Sequence, residues 1–375
     1  MEVEILKDNL KNCLNIIDPI IKKNTSLPIL SNILIETEKN FLKISATNLE
    51  ASIIWRFLAK IKKPGKIVVP ISFLKPLISF IQESKIILYS DNNNLIIKTE
   101  NQTTQIQGLN PDEFPVIPKL NIKESIKLNN KQLQKALNQV VNIPVLSQIK
   151  PEISGIYFNF KSKFLYITAT DSFRLVEKKI NTTKEIKESF ILPQISVRNL
   201  LNILSFKNND INLYFNKNQI LFEWLGEETD YPQVQFLSRL IEGDYPNYKE
   251  IIPKKYNIQM VLNKNNFINQ IKKAGIFSNK FFEIKINIYP NNNKIKITSE
   301  NPNLGKNESY IKTEKINPIK KETEISFNYK FILEGLNVIE SSEVEFNLTE
   351  NEGPASIIPV GESDFIYILM PVKNI

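Results

Sequence analysis

Apolar and polar residues alternate through FLYITATDSFRL, residues 164–175, until Thr170, Asp171 and Ser172 interrupt the pattern with short side chains that bond their own backbone. This predicts a strand running into a corner. Weaker copies are FLKISATNLE from Phe41 and KIKITSENPN from Lys294. Helical spacing precedes each copy: Leu10, Cys13, Leu14 and Ile17, stopped by Pro19; then Leu133, Ala136, Leu137 and Val140; then Phe267, Ile271 and Ala274. A second helix is expected after Pro70, with Phe73, Leu74, Leu77, Ile78 and Ile81 as its apolar face and Pro76 delaying its start. LPILSNILI, residues 27–35, reads as a half-buried strand, and further strands are expected near residues 86–89 and 95–98.

The copies keep register. Leu10 and Leu133, Ile44 and Ile167, and Pro70 and Pro193 are each separated by 123 positions, and the closing strings GLNPDEFPVIP from Gly108 and EGDYPNYKEIIP from Glu242 correspond. A looser third copy places Phe267, Ile297 and Asn328 where Leu133, Ile167 and Pro193 stood. The period far exceeds the ~20–50 residues of solenoid repeats, so each copy is expected to be a domain with its own core. The expected domains are 1–121, 122–253 and 254–375, of α+β class, each with two helices packed on antiparallel sheet.

Composition narrows the chemistry. Histidine is absent, the single cysteine, Cys13, sits among apolar helix positions, and ten glycines contain no phosphate-cradling string. Catalytic triads, ordinary metal centres and familiar nucleotide sites are not expected; no cofactor, metal or catalytic residue is assigned. Asp171 with Arg174 or Lys178 is the one acid-base pairing an enzyme reading can offer. No apolar run approaches the ~18 residues of a membrane span and the N-terminus lacks a signal pattern, so a soluble, cytoplasmic protein without a membrane partner is expected. The net charge of +8 favours a polyanionic partner mildly, and a lysine-rich composition accounts for it equally well.

The helix faces opposite the apolar ones are rich in lysines, amides and hydroxyls. First helices offer Lys11, Asn12 and Asn15; Lys131, Gln134, Lys135 and Asn138; Lys264, Asn265, Lys272 and Lys273. Second helices offer Ser72, Lys75 and Ser79; Ser196, Arg198, Asn199 and Asn202; Asn328, Lys330 and Asn337, with Glu334 an acidic exception. A solvated face explains any one of these, but six in equivalent positions suit phosphate contact without base readout.

LPILSNILI, TNLE at Thr47, DEFP at Asp112, ATDSFRL at Ala169, EGDYPNY at Glu242 and MPVK at Met370, in this order on a triplicated chain, resemble the bacterial sliding clamps, the beta subunits of DNA polymerase III. The resemblance covers the whole chain. It implies three similar domains, a head-to-tail homodimer closing a six-domain ring, helices lining a hole for duplex DNA, and no catalysis. The implied partners are duplex DNA held without regard to sequence, the polymerase III catalytic subunit, an ATP-driven clamp loader and other proteins with a short clamp-binding motif. The alternative is a clamp-fold peptide-binding scaffold with a reduced DNA role.

Residues carried over by the resemblance form three groups. A partner-peptide pocket between the second and third domains matches Ile153, Thr170, Ser172, Phe173, Arg174, Leu175, Pro246, Ile251, Ile368, Leu369, Met370, Pro371 and Val372. Lys22 and Lys23 join the helix lysines and Arg198 facing DNA. Ile106 of one copy meets Ile276 and Phe277 of the other, beside a polar Thr104. Departures from the family include Ser172 and Phe173 where glycine and histidine are common, Glu250 where a basic residue is common, Pro151 and Glu152 in a loop that often carries aromatics, and Asn24 in place of an arginine.

Overall fold

The computed structural model describes residues 1–21, 27–120, 124–147, 149–226, 231–289, 293–313, 322–349 and 353–372. Lys22, Lys23, Asn24 and the expected boundary residue Asn121 lie outside them. Six helices are described: α1 Lys7–Ile17, α2 Ile71–Phe80, α3 Asn130–Val140, α4 Gln194–Phe206, α5 Lys264–Ile276 and α6 Tyr329–Asn337. The apolar residues that predicted α1, α3 and α5 are buried. Pro70, Pro193 and Asn328, matched by the repeat, are the N-cap residues of α2, α4 and α6, Pro70 and Asn328 in extended conformation. Only Asn328 caps with its side chain, accepting from the Lys330 N–H at 3.0 Å.

Contacts divide the chain into two compact units. The first comprises Met1–Gln134, Thr182–Lys184 and Leu192–Glu242. It holds a five-stranded sheet and an eight-stranded one. In the larger sheet, strand Ala51–Leu58 from the first repeat pairs antiparallel with Pro232–Arg239 from the second, Ile53 opposite Phe236. Arg56, buried on that seam, donates to Glu38 Oε2 at 2.8 Å, Gln235 Oε1 at 2.9 Å and the Pro232 carbonyl at 3.2 Å.

The second unit comprises Lys135–Asn181, Glu185–Ile191 and Gly243–Ile375. Its six-stranded sheet runs in the order Gly155–Thr170, Arg174–Pro193, Phe365–Leu369, Ala355–Pro359, Glu343–Leu348, Ile258–Asn263, and Arg174–Pro193 pairs antiparallel with Phe365–Leu369. A four-stranded sheet lies beside α5. There α5 and α6 approach closely: a Cβ on Gly275 would stand 2.7 Å from the Tyr329 ring. In both units, then, sheets continue across the border between repeats, a sharing that the expectation of separate cores did not contain.

Three local expectations change. Residues 27–35 are not one strand: Pro28–Ser31 is a 3-10 turn and the strand begins at Asn32, whose side chain donates to the Pro28 carbonyl at 2.8 Å. Pro76 lies inside α2 and does not delay it, because Pro70 already supplies the extended residue before the first turn. Phe73 is 66% exposed, since Ile71, Leu74 and Ile78 form the buried stripe.

Candidate functional site

The corner after Gly155–Thr170 is built by short-range bonds. Asp171 Oδ1 accepts from the N–H groups of Phe173 and Arg174, both at 3.0 Å, and the Thr170 hydroxyl donates to the Arg174 carbonyl at 2.7 Å. Ser172 takes the left-handed conformation, φ 77°, which turns Phe173 outward. The first repeat has the same bonds: Asn48 Oδ1 accepts from Glu50 and Ala51, the Thr47 hydroxyl donates to the Ala51 carbonyl, and Leu49 has φ 73°. Asn301 Oδ1 accepts from Asn303 in the third.

The copies differ at one atom. Asn48 Nδ2 donates to the Ile20 carbonyl and Asn301 Nδ2 to the Ser278 carbonyl, each just beyond the first helix of its repeat. A carboxylate has no such donor. Asp171 Oδ2 instead accepts from Arg174 Nε at 2.9 Å, and the guanidinium goes on to bond Glu334 of α6 and lies 4.4 Å over the Phe331 ring. Asp171 and Arg174 are therefore committed to the corner. Lys178 is engaged elsewhere, with Asp364 at 2.8 Å, so the acid-base pairing is a structural tie.

The segment after Gly243 crosses the outer face of the six-stranded sheet. Tyr245 stacks on Tyr157 with ring centroids 4.6 Å apart, and Tyr248 packs with Leu175 and Ile368 in one buried cluster. The Tyr248 hydroxyl donates to Glu177 Oε2 at 2.6 Å, and Lys249 pairs with the same carboxylate. Burial, then the hydrogen bond to Glu177, raises the Tyr248 pKa and keeps the hydroxyl protonated.

All thirteen expected pocket residues belong to this unit, and they sort into two layers. Ile153, Thr170, Arg174, Leu175, Ile368, Leu369 and Pro371 are buried. Ser172, Phe173, Pro246 and Ile251 are exposed and Met370 and Val372 half-buried, Phe173 at 62%. The Met370 N–H donates to the Phe173 carbonyl at 2.8 Å, which ties the corner to the residue just after strand Phe365–Leu369 and brings these two sequence-distant apolar residues together. Sequence reasoning missed Tyr157, Tyr245, Tyr248 and Glu177; the tyrosines at 245 and 248 stood in the EGDYPNY string, whereas Glu177 gave no local signal.

Among the expected DNA-facing residues, Lys131, Arg198, Lys272 and Lys273 are exposed and Lys11 half-buried. Lys75 pairs with Asp18 at 2.5 Å, Lys135 with Glu340 at 2.7 Å, and Lys264 donates to the Ile339 carbonyl at 2.7 Å. Ser196 and Asn199 are buried and do not share the outward face of α4; Ser196 Oγ accepts from Ser238. At the expected seam Ile276 is 68% exposed and Phe277 half-buried, but Ile106 is buried within its own unit. Phe73 and Phe80 are the exposed apolar residues of α2. No group of metal-ligating side chains occurs among the described residues, and no helix is long and apolar enough to cross a membrane.

Sequence models of the DNA polymerase III beta subunit match consecutive parts of the chain: its N-terminal domain at residues 1–118, its central domain at 127–247 and its C-terminal domain at 249–373. The beta sliding clamp of Staphylococcus epidermidis is 25% identical over 384 residues, covering all of both chains. Among solved structures, the Bacillus subtilis DNA polymerase sliding clamp superposes with a TM-score of 0.92 at 23% identity, and a Pseudomonas aeruginosa sliding clamp bound to griselimycin with 0.92 at 20%, each over 100% of both chains.

Proposed function

The chain belongs to the DNA polymerase III beta subunit family, the non-catalytic sliding clamps, and from that premise we propose that it encircles duplex DNA and tethers the replicative polymerase. The observation that carries the reading is the match to all three clamp domains in order along one chain. We propose domains 1–121, 122–253 and 254–375; the first boundary falls between the N-terminal and central matches, while the C-terminal match begins at residue 249.

The proposed mechanism is effective concentration. A ring retained by topology keeps the polymerase beside the primer end, so rebinding becomes intramolecular. Phosphate contacts must stay few, because each neutralised phosphate steepens the salt dependence by about 0.9 and resists sliding. Exposed Lys131, Arg198, Lys272 and Lys273 suit that role, and the ion pair on Lys75 moderates it further. Two copies close the ring head to tail, Ile276 and Phe277 of α5 meeting the strand that carries Ile106.

Partner proteins dock at Phe173, Pro246, Ile251, Met370 and Val372. The buried layer of Ile153, Thr170, Arg174, Leu175, Ile368, Leu369 and Pro371 lies below and holds these side chains in place. Occupants are the polymerase III catalytic subunit, the clamp loader and other proteins with a short apolar motif, in the cytoplasm. Retention decides the reading: once loaded, the protein is expected to stay on nicked circular DNA at salt that strips ordinary binders, and to leave when the circle is linearised. Equal loss from both forms would overturn it.

A further inference from the structure

On the outer face of the six-stranded sheet, an open groove of about 810 Å³ lies beside the docking residues and includes none of them. Successive residues of the crossing segment serve the two places: Ile251 is exposed at the docking site, and Ile252 lines the groove. The sheet shows the same continuity. Leu175 faces Ile368 under the docking site; two residues along the same face Glu177 faces Ile366, and Glu345 faces Ile358, all within the groove wall. That step is about 7 Å, the reach of two residues of an extended peptide. Tyr248, bonded to Glu177, forms the low ridge between them.

The charges of the groove are unevenly satisfied. Glu177 holds Lys249 at 2.6 Å, and Asp364 holds the buried Lys178 at 2.8 Å. Glu362 has only the same lysine, at 3.9 Å, and Glu345 has no ion pair among the described residues. Asp364 Oδ1 is buried and accepts no hydrogen bond. Glu345 and Glu362 therefore have acceptor capacity to spare over an apolar floor of Ile358 and Ile366, whereas Asp364 is taken up by Lys178 and its other oxygen is out of an occupant's reach. Lys179 and the exposed Lys254 also line the groove and disfavour a uniformly basic occupant.

We propose that this groove seats the flank of the partner segment that docks at Phe173 and Met370: an extended stretch with one apolar side chain on Ile358 and Ile366 and one lysine or arginine reaching Glu345 and Glu362. The proposal rests on the partner-docking reading above. It makes the protein discriminate among partners that share an apolar motif by the charge of the residues beside it.

The test uses the full-length protein and two fluorescent peptides, an apolar docking motif alone and the same motif with a six-residue extension bearing one lysine. The extension is expected to tighten binding by about threefold to tenfold, the range of a partly exposed ion pair plus one apolar contact. Glu345→Lys should abolish that gain, and replacing the peptide lysine by glutamate should restore it in the variant. Motif binding with no gain from the extension, or a gain that Glu345→Lys leaves intact, overturns the groove and leaves the docking site standing. Absence of binding by both peptides overturns the docking reading, and the groove with it.

Discussion

Asp171 shows how much one atom decides. Its acceptor oxygen was legible in sequence, because Asn48, Asp171 and Asn301 follow equivalent strands and turn chemistry is local. Its second oxygen was not: the bond to Arg174 leads on to Glu334, 160 residues away, which sequence reading left as an acid out of place on a lysine-rich helix face. Asp171→Asn keeps the two backbone acceptor bonds and loses the ion pair; Asp171→Ala loses both. The expected costs are about 1–2 kcal/mol and about 3 kcal/mol in urea unfolding, from the usual worth of a charged hydrogen bond and of a cap. Equal costs for the two variants would mean that the Arg174 tie contributes nothing. The pocket residues were likewise half legible. All thirteen expected residues fall in one unit, but strand alternation and the overlying Tyr248, which bury Leu175 and Ile368 and leave Phe173 exposed, required the register.

At the scale of elements, periodicity located all three first helices and the caps of the second ones, since apolar spacing and N-terminal residues act within a few turns. It failed where tertiary packing chose between faces. Ser196 and Asn199 looked polar and are buried, while Phe73 looked apolar and is exposed. Strand pairing across repeats was also out of reach, because nothing local specifies that Ala51–Leu58 pairs with Pro232–Arg239. Arg56 bridges that junction to Gln235 and the Pro232 carbonyl, and Glu38 of its own repeat holds the guanidinium in place. Burial opposes ionisation of Glu38, but the hydrogen bond and charge of Arg56, with Tyr231 and Lys43, outweigh it and hold its pKa below the ordinary glutamate value. A lowered folded pKa contributes stability above the unfolded value of about 4.3, lost as pH falls through the folded one. Thermal melts of Glu38→Gln are therefore expected to fall less steeply below about pH 4 than those of the parent; parallel acid limbs would contradict this.

At the scale of the whole molecule, composition and the 123-residue period gave fold class and domain number, and the missing histidine steered the reading away from catalysis. The proposed contact between copies gave an uneven sequence signal: Ile106, expected to face the other copy, is buried in its own unit. Ile276→Glu is expected to shift the protein from dimer to monomer in sedimentation and to remove retention on circular DNA, while peptide binding at Met370 is kept; an unchanged dimer would exclude Ile276 from the seam. The eight-stranded sheet also has a consequence in time. During synthesis, strand Ala51–Leu58 is complete long before Pro232–Arg239 leaves the ribosome. At roughly 5–20 residues per second the nascent chain holds an unpaired apolar edge for roughly ten to forty seconds. For that interval the strand is an open template on which another nascent chain can pair, a liability that lasts until residues 232–239 arrive.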